Sequence, residues 1–210
     1  VASRMESTGD PNRIHVSDTL NFNRYRVDFV PAGEVAALSF WYDGDARFEI
    51  ALDSPGFGEA VQTFRAATGQ ALEEGWNGAT VTLDNASQGP FPGNGANNLL
   101  VVLENIEPDA VWTVTLTHQG GPGRFDGWVA LSSFGEFSAS DPTMTISEPG
   151  NARRVITVGA YTTKNRWPSV LGRTFGFVGG NPVGDIAAFS SAGPTRDGRQ
   201  KPDLAAPGAA

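Results

Sequence analysis

Between Arg24 and Leu131 the apolar residues recur with a period of two, in short runs cut off by Gly, Pro, Asn or Asp. That period puts alternate side chains on opposite faces of an extended strand and leaves a helix no continuous apolar stripe. Tyr25, Val27 and Phe29 alternate with Arg24, Arg26 and Asp28. Phe48, Ile50 and Leu52 alternate with Arg47 and Glu49, and Trp112, Val114 and Leu116 with threonines. Val35 to Tyr42 is aromatic and nearly continuous, as a strand buried on both faces would be. Asp43-Gly44-Asp45, Ser54-Pro55-Gly56 and Gly120-Gly121-Pro122-Gly123 supply turn chemistry between the runs. With about seven or eight short strands spaced about 8–15 residues apart, the pattern predicts an antiparallel β-sandwich of jelly-roll or Ig-like type. Glu59 to Glu74 is the one helical candidate, but its apolar spacing is poor and Gly69 interrupts it, so it reads as a short helix or an irregular loop.

Composition narrows the function classes. Fifteen Lys+Arg against 23 Asp+Glu give a net charge of −8, which argues against nucleic acid or an anionic membrane surface as partner. Cysteine is absent, so disulfides, thiolate metal sites and a thiol nucleophile are excluded. The longest unbroken apolar run, Leu99 to Leu103, falls far short of the roughly 20 residues a membrane-crossing helix needs. Val1 to Asp10 lacks the apolar core of a signal peptide, and both chain ends read as cuts within a longer sequence.

The sequence divides into a polar stretch over residues 1–19, read as a linker or a remnant of an upstream core, the strand-rich block over 20–141, and a segment of different character over 142–210. In that last segment Val155 to Ala160 is a fully apolar strand core following Arg153-Arg154, of the kind found in covered parallel sheets. Residues 166–184 are Gly-rich and loop-like. The tail Arg196 to Asp203 is polar turn material leading to Leu204 to Pro207, and it cannot build a core of its own.

Three motifs in this segment carry a resemblance: Val155-Ile156-Thr157-Val158-Gly159-Ala160, then Phe189-Ser190-Ser191-Ala192-Gly193-Pro194-Thr195, then Asp197-Gly198-Arg199-Gln200-Lys201-Pro202-Asp203-Leu204-Ala205-Ala206-Pro207-Gly208. Their wording, order and spacing resemble the subtilisin-like serine peptidases, in which they precede the nucleophilic serine. The preceding block is similar to a subgroup in which a jelly-roll domain is inserted in the catalytic domain. The resemblance implies a mainly β chain: a jelly-roll-like sandwich followed by a partial α/β subtilase core. It also implies a secreted parent endopeptidase acting on polypeptides. The family's aspartate, histidine and serine motifs do not occur here. His15 lies in the polar linker, His118 closes a strand beside Gly120-Gly121, and the Ser190-Ser191 loop is structural in the family. Peptide hydrolysis needs a serine, a base, an orienting acid and an oxyanion donor. The expectation is therefore a chain with no catalytic residues of its own.

The resemblance places Ser147, Glu148 and Pro149 at the floor of the specificity pocket. There Glu148 would favour a basic substrate residue; the alternative is a solvated loop carboxylate. No cofactor is implied. Asp43, Asp45 and Asp53 suggest calcium, but the carboxylates fall short of the six to eight oxygens it takes, and a hydrophilic hairpin corner explains them as well. Trp41, Trp112 and Trp128 read as core, with Trp76 the one of the four tryptophans partly exposed. Asn85-Ala86-Ser87 spells a glycosylation sequon. Exposed co-planar aromatics would instead point to a carbohydrate- or protein-binding module. The apolar 155–160 strand is expected to pair with a sandwich edge, to dimerise by swapping into a second copy, or to be poorly ordered.

Overall fold

The computed structural model describes residues 13–56, 60–130, 134–176 and 182–209. Two compact units part between Asp141 and Pro142. The first carries β1 (His15–Thr19), β2 (Arg24–Pro31), β3 (Val35–Asp43), β4 (Arg47–Asp53), β5 (Thr63–Ala67) and β6 (Gln70–Trp76). It continues with β7 (Ala79–Asn85), β8 (Ala96–Glu104), β9 (Trp112–Gly120), β10 (Arg124–Val129) and β11 (Gly135–Phe137). These make a six-stranded sheet ordered β1-β10-β3-β8-β7-β6 and a five-stranded sheet ordered β11-β2-β9-β4-β5. Every pairing within them is antiparallel.

Register follows the hydrophobic pattern. Leu38 faces Val101 and Phe40 faces Leu99 in one sheet, while Val27 faces Val114 and Ile50 faces Leu116 in the other. A slip of one residue would turn every one of these side chains to the wrong face. The inward sets of the two sheets form one hydrophobic cluster, with Phe29, Phe40, Tyr42, Phe48 and Trp112 fully buried. Burying such a side chain is worth about 1.5–3 kcal/mol. The mainly β architecture and the two-layer sandwich are thus present.

Two stretches differ from the sequence reading. Residues 15–19, expected as linker, form β1 and pair with β10, His15 opposite Trp128. The stretch expected as helix or loop holds β5 and β6, turning at Gly69 with φ +88°. β5 joins one sheet and β6 the other. β6 is an edge strand exposed along most of its length, so it has no buried face to imprint a period of two on the sequence.

The second unit carries β12 (Val158–Thr162), β13 (Arg166–Pro168), β14 (Thr174–Gly176) and β15 (Leu204–Ala209). β12 and β15 pair in parallel, with Gly159 opposite Ala205. β13 and β14 form a short antiparallel hairpin within the stretch read as loop. No helix occurs among the described residues, so the α component of the expected α/β segment is not seen. The strand expected over 155–160 begins at Val158, and Ile156 is 70% exposed. Its partner is the chain's own tail, an outcome not among those expected. None of the described residues of this unit joins the hydrophobic cluster. Its buried side chains are Ala187 and a polar set: Thr145, Thr157, Thr162, Thr195 and Lys201. No helix of the described residues is long and apolar enough to cross a membrane.

Candidate functional site

The three motif segments of the second unit converge through polar contacts. The Thr157 N–H donates to Asp203 Oδ2 at 2.7 Å, and the Asp203 N–H returns to the Thr157 carbonyl at 2.8 Å. Lys201 is 7% exposed, and its Nζ donates to both the Val155 carbonyl and Asp203 Oδ2 at 2.5 Å. A buried ammonium is tolerable only when paired and hydrogen-bonded in this way. The Lys201 hydrogen bond, with help from the Thr157 N–H, holds the Asp203 carboxyl below its ordinary range.

The adjoining loop locks on itself. Thr195 Oγ1 donates to Asp197 Oδ1 at 2.5 Å, and Arg199 Nε lies 2.9 and 2.8 Å from the two carboxylate oxygens of Asp197. The Arg199 hydrogen bond and then that of Thr195 hold the Asp197 carboxyl down at about 2. Gly198 turns the loop at φ +80°, a conformation that favours glycine. Arg199 also reaches the Asn151 carbonyl at 2.7 Å, tying this loop to residues 147–152. Ser190 is structural as well: its Oγ accepts the Ala160 N–H at 3.0 Å.

The expected pocket-floor residues sit on a braced turn. Ser147 is half-buried, and Glu148 and Pro149 are exposed. The turn is closed by the Asn151 N–H to the Ser147 carbonyl at 3.3 Å and the Ala152 N–H to the Pro149 carbonyl at 3.1 Å. Thr157 Oγ1 holds the Gly150 carbonyl at 2.5 Å. Ahead of the turn, Thr145 and Ala192 exchange hydrogen bonds of 2.8 Å. The result is an exposed carboxylate on a fixed backbone.

The histidines do not form a relay. His118 accepts the Phe22 N–H at Nδ1 and donates from Nε2 to the Gly121 carbonyl, both at 3.0 Å, so its ring pins two turns together. His15 is fully buried on β1, and no serine hydroxyl bonds to it among the described residues; Ser17 instead donates to Asp141 at 3.0 Å.

The carboxylates considered for calcium make local hydrogen bonds. Asp43 accepts the Asp45 N–H at 3.1 Å, and Asp53 accepts the Thr63 hydroxyl at 2.6 Å. The Asp43, Gly44 and Ala46 carbonyls converge on Asn97 Nδ2 at 3.2, 3.2 and 3.4 Å. Among the described residues no three His, Asp or Glu side chains are grouped to hold a metal ion. Trp112 is buried as expected, but Trp41 and Trp128 are partly exposed like Trp76, because they point to the outer face of their sheet while Phe40 and Phe125 point inward. Asn85 is fully buried, which leaves no room for a glycan.

Sequence reasoning missed the grouping of His15 with Asp126 and Asp141, each 3.8 Å from a different ring nitrogen. Asp126 and Asp141 lie more than a hundred residues from His15, and the stretch holding His15 reads as linker, so no local signal grouped them.

Comparison with known proteins agrees with this picture. A solved structure of the Clostridium perfringens CspB protease matches with a TM-score of 0.67 at 17% identity, over 94% of this chain and 39% of that one, which shows a shared fold. An uncharacterized protein of Aquifex aeolicus is 42% identical over 88 residues, or 39% of this chain and 35% of that protein. The chain thus spans little more than a third of either relative. The sequence profile described as the Subtilase family matches residues 106–210, half of the chain, and with the motif loops folded as above, the chain belongs to that family.

Proposed function

We propose that this chain is the non-catalytic part of a secreted subtilisin-like serine endopeptidase: a jelly-roll-like sandwich inserted in the catalytic domain, with the core segment that follows it. The carrying observation is that the family match falls on a segment whose motif loops are tied up in hydrogen bonds and ion pairs to one another. Lys201, Asp203, Asp197 and Arg199 brace one another. Among the described residues no serine, histidine and acid form a relay. On this reading the sandwich packs on the catalytic domain of the parent and stiffens it or shapes access to its cleft. Polypeptide is the parent's substrate. Glu148, on its braced turn, lines the specificity pocket beside Ser147 and Pro149 and favours a basic residue. No cofactor is invoked.

The purified chain is expected to show no hydrolysis of casein and no labelling by a fluorophosphonate serine probe. Labelling of any serine would overturn the reading. In the parent, Glu148→Gln is expected to lower kcat/KM for peptides with a basic residue at the cleavage site by about tenfold, as for one lost charged contact, with little change for neutral ones.

A second reading rests on one observation. A cleft of about 540 Å³ at one end of the sandwich is lined by Arg47, Ser87, Pro90 and Asn97. Beside it Phe91 is 54% exposed and meets Trp41 edge-on at 5.9 Å. That pairing of aromatic surface and polar groups suits a carbohydrate or protein ligand. Chemical-shift changes at these residues on adding oligosaccharides would support it.

A further inference from the structure

The outer face of the six-stranded sheet holds a group of titratable side chains apart from the motif loops of the second unit. His15 is fully buried, and neither ring nitrogen has a hydrogen-bond partner among the described residues. Nε2 lies 3.8 Å from Asp126 Oδ1 and Nδ1 lies 3.8 Å from Asp141 Oδ2. Trp128 stacks on the ring with centroids 4.9 Å apart. The charged groups facing it are Asp126 from β10, with Arg124 at 3.2 Å from that carboxylate, and Asp141 from the segment after β11. The nearby Arg13–Glu136 pair, at 3.2 Å, joins the chain just before β1 to β11.

A neutral imidazole carries one N–H and one lone pair. Between two carboxylates it can satisfy one and must turn its lone pair toward the other. An imidazolium carries two N–H groups and matches both. The carboxylates sit at different ring nitrogens, so one metal ion bound to the ring could not also collect both. The ligand that fits is a proton.

The position gives that proton leverage. His15 lies on β1, an edge strand whose one sheet neighbour among the described residues is β10. Asp141 is the last residue of the sandwich unit, and its N–H donates to the His15 carbonyl at 2.8 Å. The start and the exit of the sandwich therefore meet at this ring.

We propose that His15 is a proton-operated clamp: as the imidazolium it grips Asp126 and Asp141 together, fastening β1 and the exit of the sandwich to the sheet, and on losing its proton it releases one of them. Imidazole is the side chain whose charge ordinarily changes between pH 5 and 8. The clamp is closed while the ring carries both protons and opens when one is lost. The inference is independent of the proposed peptidase parentage.

The test uses the whole chain. Ring ¹⁵N–¹H correlation spectra should show two N–H signals from His15 at pH 5.5 and one at pH 8.5. Amide exchange in β1, corrected for its intrinsic pH dependence, should be at least tenfold faster at the higher pH. Asp141→Asn and His15→Gln should each abolish that difference. A ring with one N–H at pH 5.5, or β1 protection in the unmodified chain that does not change with pH, would overturn the proposal. The unmodified chain decides the matter even where a variant fails to fold.

Discussion

Tyr42 carries its hydroxyl to one end of the sandwich core, where it donates to Asn85 Oδ1 at 2.6 Å. Asn85 in turn donates from Nδ2 to the Phe48 and Ala66 carbonyls, both at 3.0 Å. Tyr42 and Asn85 belong to one sheet, Phe48 and Ala66 to the other, so this amide bridges the layers. Tyr42→Phe should leave the buried Asn85 oxygen without its donor and cost about 1–3 kcal/mol, read from the urea midpoint. Burial pushes the Tyr42 phenol up to about 12. The unfolded chain ionises this phenol near its ordinary value of 10, so stability is full below that and falls as pH rises toward 12; the Phe variant should lack this component. Asp197 has the opposite sign. Its carboxyl is held at about 2 by Arg199 and Thr195, so the loop's contribution is complete above the ordinary value of 3.8 and is lost as pH falls toward 2. A carboxyl ¹³C titration should place its midpoint well below those of the exposed aspartates, and an ordinary midpoint would refute the loop geometry.

Among the elements, β10 shows how close packing limits sequence. A Cβ on Gly127 would fall against the ring of Phe40, which is fully buried in the core. Gly127→Ala should therefore destabilise by about 1–3 kcal/mol through overpacking, seen as a lower Tm. The strands that bury one face, such as β2, β4 and β9, were legible in the sequence because burial imposes alternation. β1 and β6 were not. β6 is an edge strand with most side chains in water, and β1 is short, ends in polar residues and depends on β10, more than a hundred residues away, for its partner. The turn between β6 and β7 falls at Asn77-Gly78, with positive φ at both residues, +52° and +85°. In the second unit the motif words were legible as family vocabulary, but not the reason for them. Lys201, Thr157 and Asp203 are a bracing set in which Thr157 meets its two sequence-distant partners only in three dimensions. The group of His15, Asp126 and Asp141 was hidden for the same reason.

At the scale of the whole molecule, the two units are held by different physics. The sandwich has one continuous hydrophobic cluster, while the described part of Pro142–Ala210 has none and relies on hydrogen bonds and ion pairs around Lys201 and Asp197. In this unit Ile156, Phe189 and Leu204, the last on β15, are exposed at 70%, 44% and 50%. Parallel strands are ordinarily covered on both faces, and the β12–β15 pair is not so covered among the described residues. Residues 13–141 expressed alone should unfold cooperatively, and 142–210 alone should show no cooperative transition by circular dichroism. The most direct measurement is amide hydrogen exchange followed by mass spectrometry on the intact chain. The account predicts that β3, β8 and β9 exchange only through global unfolding, with the amides of 155–162 and 195–209 opening at far lower free energy. Equal protection across both units would contradict it.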